Sequence, residues 1–353
     1  MIIKDLKKIK VPIKLLSYIR KIDDFNGTWK AVKLLSPEKL SSLKQVATIE
    51  SVGASTRIEG VTLSNQEIET FLKNMTLKSL ISRDEQEVAG YADLMNTIFD
   101  QNELLNLSEE HIKQLHRILL KYSQKDERHR GEYKKNSNSI GAFYEGKLKA
   151  IIFETASPFE TPLMMERLII LYENMCHEDV HPIVAIAIII VSFLAIHPFQ
   201  DGNGRLSRAL TTLLLLKSNY SYAPYVSLER IIEENKSDYY QALRSTQITL
   251  RSEVPDFLPW LTFFLASLEK QVDDLKCRIG NMQKIQRIPE LATKILSLFN
   301  ENPILSVADM SELLQESRNT VRSHVYQLYS DDFLTKSGSG RSVMYERAHL
   351  LNK

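Results

Sequence analysis

The residues of this sequence best suited to chemistry stand together at 197–208, which read His-Pro-Phe-Gln-Asp-Gly-Asn-Gly-Arg-Leu-Ser-Arg. His197 offers an imidazole, whose ordinary pKa of about 6.5 lets it accept a hydroxyl proton close to neutral pH. Gly202 and Gly204 can leave backbone N–H groups open to an anion just before a helix begins. Asp201 is a hard oxygen ligand of the kind that Mg²⁺ accepts when phosphates and water fill most of its coordination shell. These types and spacings predict a phosphate site with a base beside it, suited to in-line displacement at phosphorus.

Two arginines complete the string and make it more than a turn. Arg205 and Arg208 lie one helical turn apart and could form forked bonds with phosphate oxygens. Taken separately, a His-Pro pair at a helix end is commonly a packed turn, and Asp-Gly-Asn-Gly is commonly a surface turn. An EF-hand loop starting at Asp201 is excluded because Thr212 stands in the place of the bidentate Glu, and Ser207 stands where GxGxxG needs its third glycine. The interpretation therefore depends on the whole string.

Composition and charge bound the class of protein. The 353 residues exceed one ordinary domain, and 45 lysines and arginines nearly balance 44 aspartates and glutamates. This balance argues against a nucleic-acid coat or a membrane-surface protein. Cys176 and Cys277 lack metal-ligand spacing, which favours a reducing compartment, and the first residues lack the apolar run of a secretory signal. Because the most apolar run, 183–196, is shorter than the roughly 20 residues that cross a bilayer, the sequence predicts a cytoplasmic protein without a membrane partner.

The elements that must position this string are predicted to be helices. Apolar residues recur three and four apart over most of the chain up to about Ile279, notably at 38–53, 65–74, 84–99, 108–122 and 161–176. Ser36 before Pro37, and Ser108 before two glutamates, are typical helix starts. We therefore expect an all-α, mainly helical fold in this part of the chain.

One interval, 131–158, departs from helical periodicity. It contains β-prone pieces at 140–144 and 148–153. The two pieces predict a β-hairpin that turns at Glu145 and Gly146.

The end of the chain is predicted to form a domain of its own. Gly280 and Asn281 interrupt the helical pattern that begins near Asp256, and Pro289 opens a new helix. Three helical segments and then turn-rich residues 336–340 between two strand-like pieces are the order of a winged helix. The predicted segments are an N-terminal helical region at 1–110, a catalytic core at 111–280 and a winged-helix domain at 281–353.

The predicted third helix and wing of this domain carry polar and basic side chains of the kind that recognition helices use, namely Arg318, Asn319, Arg322, His324, Lys336 and Arg341. Between 285 and 353, however, acidic and basic residues are equal in number, so the positive charge typical of DNA-binding domains is missing. DNA binding and service as a protein-docking or homodimerisation module both stay open.

The string at 197–208 resembles the signature of the Fic family, HPFx[D/E]GNGRxxR, at every fixed position. The resemblance covers roughly residues 38–256 and implies the family's helical fold. It implies that His197 is the general base for a target hydroxyl and that Asp201 holds Mg²⁺. Phe199 is expected to point into the core and orient the loop.

The resemblance also implies a nucleotide site. The anion hole and the contacts to the distal phosphates of ATP are expected at Gly202, Asn203, Gly204, Arg205 and Arg208. Asn235, Tyr239 and Tyr240 fall where related proteins contact the nucleoside. Aromatic residues on a helix are also common in a core, so this second set has an equally simple structural explanation.

A second short pattern lies far from the first. Residues 55–60, Ser-Thr-Arg-Ile-Glu-Gly, fit the [S/T]xxxE[G/N] pattern of the Fic inhibitory helix. A glutamate one turn after a serine is common on any solvated helix face, so this pattern gains meaning from the complete motif elsewhere. The resemblance implies that Glu59, one turn after Ser55, reaches Arg208 and occupies it, so that ATP cannot place its γ-phosphate.

The activity implied by the resemblance is Mg²⁺-dependent transfer of AMP from ATP to a Ser, Thr or Tyr hydroxyl of a target protein, self-modification included. Gly204 keeps the AMP-transfer form of the motif, since a lysine replaces this glycine in the phosphate-transferring branch. The hairpin corresponds to the family's flap, which is thought to hold the target segment as an added strand. Two alternatives stay open: removal of AMP by water that Glu59 positions, and a DNA-binding regulator whose Fic site only senses nucleotide.

Overall fold

A computed structural model describes residues 12–31, 36–75, 82–144, 147–252, 254–286, 289–300, 302–331, 333–338 and 343–348. The chain divides into two compact units, Met1–Leu275 and Lys276–Lys353. The N-terminal region and the catalytic core, predicted as separate segments, therefore lie within one compact unit.

The first unit consists of helices and one hairpin. Its helices are α1 Ile13–Ala31, α2 Pro37–Ile58, α3 Asn65–Asn74, α4 Arg83–Gln101, α5 Glu109–Leu119, α6 Thr161–His177, α7 Pro182–Ile196, α8 Asn203–Lys217, α9 Leu228–Glu234, α10 Lys236–Thr249 and α11 Leu258–Gln286, which continues into the second unit. The strands β1 Ser139–Tyr144 and β2 Lys147–Glu154 come between α5 and α6.

The predicted helices are present, with changes at their ends. The Ser108 side chain accepts the His111 backbone N–H, as expected of a cap. Ser36 precedes Pro37 but makes no side-chain cap bond. α2 continues past the predicted end at residue 53 and reaches Ile58, so the segment with the inhibitory pattern extends the predicted helix.

α7 is the apolar centre of the first unit. Its side chains from Ile183 to Ile196 are buried except for the half-buried Ser192. The helix contacts α6, α8 and α10, so the prediction of a helix buried on all sides is confirmed. None of the described helices is long and apolar enough to span a membrane. The chain leaves α7 at His197, which places the motif at the end of the best-packed element.

The predicted hairpin is also confirmed. β1 and β2 pair antiparallel, with Ser139 opposite Glu154 and Tyr144 opposite Lys147. The register shifts between Ile140 and Gly141 and again between Ala142 and Phe143. The predicted turn residues, 145 and 146, lie outside the described residues.

The second unit combines three helices with a small sheet. Its elements are α12 Glu290–Leu298, β3 Ile304–Leu305, α13 Val307–Leu314, α14 Arg318–Ser330, β4 Leu334–Ser337 and β5 Met344–Arg347. The sheet has the order β3-β5-β4 with antiparallel pairing. Its helices enclose a separate core around Ile295, Met310, Val321 and Val325. The two-residue strand β3 was missed from the sequence, and the winged-helix assignment stays a prediction.

The expected helix end at Gly280 is wrong. α11 runs through Gly280 and Asn281 to Gln286, and the compact units divide at Leu275, inside this helix. A glycine within a helix costs only about 1 kcal/mol relative to alanine, which a helix of 29 residues absorbs.

The basic side chains proposed for DNA contact lie mainly on the surface. Arg318, Asn319, Arg322 and Lys336 are exposed, and His324 is half-buried. Arg341, also named in that prediction, lies outside the described residues. DNA binding therefore stays a prediction.

Candidate active site

The motif forms the loop between α7 and α8, and its backbone explains why the two helices separate there. His197 ends α7 in the left-handed conformation, with φ 53° and ψ 60°. Such a backbone is uncommon for a residue with a side chain and is maintained only where neighbouring contacts hold it. Gly202 adopts φ 80° immediately before α8 begins, a conformation that glycine reaches without steric cost. The loop is thus bounded by His197 on one side and by the N-terminus of α8 on the other.

Two buried side chains fix the middle of the loop. Phe199 is fully buried, as predicted. Asn203 is also buried, and its Oδ1 accepts the Phe199 backbone N–H at 2.9 Å while its Nδ2 donates to the Phe199 carbonyl at 2.8 Å. The Asn203 side chain therefore braces the loop, which leaves the backbone as its means of contacting an anion.

His116, on α5, supports the loop and was missed from the sequence. Its ring stacks on Phe199 with centroids 3.8 Å apart. The Gly131 backbone N–H donates to Nδ1 at 2.9 Å, so Nε2 carries the proton and donates to the Asp201 carbonyl at 3.0 Å. Burial lowers the pKa of His116 to about 4. It lies within an ordinary amphipathic helix, so no local pattern distinguishes it.

The His197 ring has the tautomer that a general base requires. Nδ1 lies 3.3 Å from the Leu194 carbonyl, and because a carbonyl only accepts, Nδ1 carries the proton. Nε2 then keeps its lone pair. Burial lowers the pKa of His197 to about 4, which keeps the ring neutral at pH 7.

Asp201 fits the role of a Mg²⁺ ligand. Its Oδ1 accepts the Gly202 backbone N–H at 2.6 Å and lies 3.3 Å from Nη2 of Arg205. Within the described residues Oδ2 receives no hydrogen bond, and the side chain is one-third exposed, at 33%. Burial raises the pKa of Asp201, but the Arg205 charge, the hydrogen bond from the Gly202 backbone and the charges of Lys125 and Arg83 together lower it below its usual value. A charged carboxylate with one uncommitted oxygen beside an anion loop suits a magnesium ion that phosphates also bind.

Arg205 does not face outward as a phosphate ligand would. Its side chain is buried, and its Nη1 and Nη2 lie 3.2 Å from Glu87 Oε2 and 3.3 Å from Asp201 Oδ1. In this state Arg205 therefore pairs with carboxylates on both sides. The expectation that it meets the distal phosphates is not matched by this arrangement, since Glu87 on α4 competes for the guanidinium.

Arg208 is bonded through Nε and Nη2 to residues at the end of α2. Its Nε donates to Ser55 Oγ at 2.9 Å, and its Nη2 donates to the Ser55 carbonyl at 3.0 Å and to Glu59 Oε1 at 2.7 Å. The arginine is 4% exposed. The structure thus joins the two sequence patterns as the resemblance implied.

The Glu59 carboxylate also lies against the anion loop. A Cβ placed on Gly204 would collide with Glu59 Oε1 and would contact Nη1 of Arg208. Any phosphate that approaches this glycine therefore meets a carboxylate. Burial opposes the charge on Glu59, but Arg208 outweighs it and holds the pKa of Glu59 below its usual range. Burial also disfavours the charge on Arg208, and Glu59 raises the pKa of that guanidinium in turn.

One ion pair and one hydrogen bond anchor the end of α2. Arg57 forms a forked pair with Glu233 on α9, with Nε and Nη2 at 2.7 and 2.9 Å from the two carboxylate oxygens. Lys236 Nζ donates to the Ile58 carbonyl at 2.8 Å. Forked arginine–carboxylate pairs fix orientation as well as distance. The backbone that leads into Glu59 is therefore held by two contacts, neither of which a sequence pattern indicated.

The residues expected to contact the nucleoside lie at the junction of α9 and α10. Asn235 donates from Nδ2 to the Ile231 carbonyl at 2.7 Å and so closes α9. Tyr239 is buried and packs edge-on against Trp260, 5.8 Å between centroids. Tyr240 is partly exposed, at 38%. Tyr239 thus has a core role in this state, while Tyr240 has a surface free for stacking.

The two neutral histidines predict a loss of stability in acid. The folded-state pKa values of His116 and His197 are about 4, whereas unfolded histidine titrates near about 6.5. The unfolded state therefore binds more protons between those values, and the free energy of unfolding should fall as pH drops from 6.5 to 4. Urea midpoints at pH 7, 6 and 5 measure this, and His116→Gln should make the loss smaller. The same change at the exposed His177 is the control; an equal loss in all three proteins would contradict the assignment.

Comparison with known proteins finds a family domain that includes the motif. Residues 106–215 match the Fic/DOC family. The chain is 25% identical over 236 residues to protein adenylyltransferase Fic of Drosophila sechellia, an alignment covering 66% of this chain and 43% of the fly protein. The chain therefore spans less than half of the length of the curated relatives it matches.

Solved structures agree with the fold. A Fic family protein from Desulfovibrio desulfuricans G20 is similar with a TM-score of 0.61 and 22% identity, over 97% of this chain and 98% of that one. A Fic-domain-containing signaling protein from Bacteroides thetaiotaomicron is similar with a TM-score of 0.57 and 24% identity, over 72% of this chain and 94% of that one. The chain therefore contains a Fic/DOC family domain at residues 106–215, with the complete motif at residues 197–208 inside it, and it shares the fold of these Fic proteins.

Proposed function

We propose that this protein is an adenylyltransferase that moves AMP from ATP onto a Ser, Thr or Tyr hydroxyl of a protein, and that Glu59 holds it in a slow state. The observation that carries the proposal is a neutral histidine, whose Nε2 makes no hydrogen bond within the described residues, in the same loop as a helix N-terminus that begins at a glycine. A base and an anion site within one loop suit nucleophilic attack on a bound phosphate. The curated relatives, named protein adenylyltransferases, support the same reaction.

The proposed step balances as a substitution at phosphorus. Nε2 of His197 takes the proton of the target hydroxyl while the hydroxyl oxygen forms a bond to the α-phosphorus of ATP. The bond from that phosphorus to the oxygen bridging to the β-phosphorus breaks, and diphosphate leaves with the electron pair. Backbone N–H groups at Gly202 and Gly204, together with the N-terminus of α8, would receive the phosphate charge. Asp201 would hold Mg²⁺, which neutralises phosphate charge when bound.

The proposed inhibition follows from the negative charge of Glu59, whose carboxylate lies against Gly204. The Glu59 carboxylate lies where a phosphate would approach and uses the Arg208 donors that the phosphate would need. ATP that binds in this state has its γ-phosphate denied the guanidinium, so its α-phosphorus is out of line for attack. Alignment of reacting atoms is worth orders of magnitude in rate.

Label transfer tests the proposed activity directly. Purified protein is incubated with ATP labelled at the α-phosphate, in parallel with ATP labelled at the γ-phosphate. The proposal expects label on protein from the first nucleotide alone. Label from the γ-phosphate would instead assign phosphoryl transfer.

Removal of AMP is a second candidate function of the same site. The Glu59 carboxylate beside Gly204 is placed to orient a water as well as to exclude a phosphate. If Glu59→Gly loses the ability to release AMP from a modified protein while gaining no transfer, hydrolysis is the better assignment.

Replacing the carboxylate of Asp201 tests the metal assignment. Asp201→Asn should weaken Mg²⁺-dependent ATP binding about tenfold or more, the cost typical of disturbing a metal site, because a neutral amide is a poorer ligand for Mg²⁺. ATP binding without Mg²⁺ should change little. Calorimetric titration of ATP across a Mg²⁺ series measures both, with the exposed Asp100→Asn as the matched control. Superimposable Mg²⁺ curves for Asp201→Asn and wild type would show that this carboxylate is not a ligand.

A further inference from the structure

Lys134 is a buried lysine that neither sequence pattern includes. It lies between a short 3-10 helix, Glu127–His129, and the start of β1. Its exposed fraction is 3%. Within the described residues no carboxylate lies within ion-pair distance of its ammonium group. Burying an ammonium without an anion is costly unless its N–H groups are fully bonded. The hydrogen bonds of this ammonium group must therefore offset the cost of its burial.

The Lys134 ammonium has three N–H donors, and the structure gives it three acceptors. They are Asn138 Oδ1 at 2.7 Å, Thr155 Oγ1 at 2.8 Å and the Ile196 carbonyl at 3.1 Å. Ile196 is the last residue of α7, where carbonyl groups at a helix C-terminus favour a cation. Burial still lowers the pKa of Lys134 to about 8. With every donor used, Lys134 has no N–H left for a ligand.

These contacts hold both sides of His197. The Ile196 carbonyl directly precedes it, and the Lys134 backbone N–H donates to the Pro198 carbonyl at 2.9 Å. Asn138 Nδ2 donates to the Phe199 carbonyl at 2.9 Å. The left-handed backbone of His197 is therefore held by hydrogen bonds to the residues before and after it. A strained backbone of this kind persists only where neighbouring contacts maintain it.

The same ammonium reaches the base of the hairpin. Thr155 directly follows β2, and its Oγ1 also donates to the Asn138 carbonyl at 2.6 Å. Asn138 directly precedes β1. The two ends of the hairpin are therefore tied to each other and to the end of α7 through one nitrogen.

We propose that Lys134 is the positioning residue that sets the His197 imidazole against the hairpin, and thereby against the target hydroxyl that the hairpin would present. The inference rests on the proposed function, since it assigns the hairpin the role of holding the target segment. Lys134 acts through His197 and touches neither nucleotide nor target. Its loss should therefore slow the chemical step and leave ATP binding intact.

The test uses a Glu59→Gly parent, so that the rate of the released site is measured. Lys134→Met in this parent should lower kcat for α-phosphate label transfer about 100-fold, the cost of a misplacement near 1 Å, with the dissociation constant of ATP within twofold of the parent. Lys134→Arg should recover part of kcat because a guanidinium keeps the charge and the donors. Lys135→Met, the same change at the exposed neighbour, should match the parent.

Thr155→Val provides a second variant in case Lys134→Met does not fold. It removes the hydroxyl that accepts from Lys134 and donates to the Asn138 carbonyl, with little change of shape, and it should lower kcat several-fold with unchanged ATP binding. Parental kcat in the folded Lys134→Met or Thr155→Val protein would overturn the inference, as would a loss confined to ATP affinity. An inactive Glu59→Gly parent would instead overturn the proposed function, and the inference with it.

Discussion

Glu59→Gly should raise the transfer of α-phosphate label by about 100-fold or more, the scale of effect expected when reacting atoms become aligned. In the wild-type structure Glu59 Oε1 lies 2.7 Å from Nη2 of Arg208 and against Gly204. Removing the side chain frees the guanidinium to fork onto the γ-phosphate and removes a negative charge from the path of the phosphates. Strong self-modification of the purified protein should appear, measured as label retained on the chain.

The matched controls separate charge from shape. Glu59→Gln keeps the size of the side chain and loses its charge, so it should activate less than Glu59→Gly but more than Glu38→Gln, the same change at an exposed position of α2. Arg208→Ala in the Glu59→Gly background should silence transfer again, because the partner that was released is then absent. If Glu59→Gly transfers no more label than wild type while His197 stays essential, Glu59 is not inhibitory.

The anchoring of α2 bears on the proposed inhibition, because it fixes the backbone that carries Glu59. Arg57 and Glu233 hold the helix end from one side, and Ser55 bonds Arg208 from the other. Glu59 therefore needs no movement of α2 to block a phosphate.

The composition of the candidate site was predictable from sequence because its residues stand within one loop. The residues proposed as base and metal ligand are adjacent to the glycines at 197–208, and the spacing alone predicted a phosphate site. The contact between Glu59 and Arg208 is different in kind. No physical rule applied to residues 55–60 leads to it, and the resemblance to the Fic family supplied the pairing that the structure then placed at 2.7 Å.

The supports of the site were not predictable, for a physical reason. His116, Lys134 and Glu87 act through tertiary contacts with loop carbonyls or with Arg205. Their local sequences are those of ordinary helices and turns, and their buried polar bonds appear only when separate elements meet. The direction of the Arg205 side chain was missed for the same reason, since its partner lies on α4.

Fold prediction failed where short or weak signals compete. β3 has two residues, too few for a periodic pattern, and it exists through pairing with β5. Gly280 was read as a helix end, but its modest cost is outweighed within the long α11. In contrast, α7 was predictable because a helix that is apolar on every side is stable in water only when it is buried in a core.

His197→Ala should lower label transfer by about 100-fold to 10,000-fold in the Glu59→Gly background, the range that a positioned general base contributes. Nε2 is the atom that would take the target proton, and alanine offers no substitute. ATP affinity and the melting temperature should change little, because the ring is half-buried at a helix end and its hydrogen bond to Leu194 is long, at 3.3 Å. His177→Ala, at an exposed histidine, is the matched control. Burial holds the pKa of His197 near 4, so the ring stays neutral as the pH falls from 6.5 towards that value. The kcat/KM of the Glu59→Gly parent should therefore begin its acid decline below the usual histidine range. Transfer at the parental rate by His197→Ala would exclude this ring as the base, and a decline centred at 6.5 would show that the ring is not shielded as the structure places it.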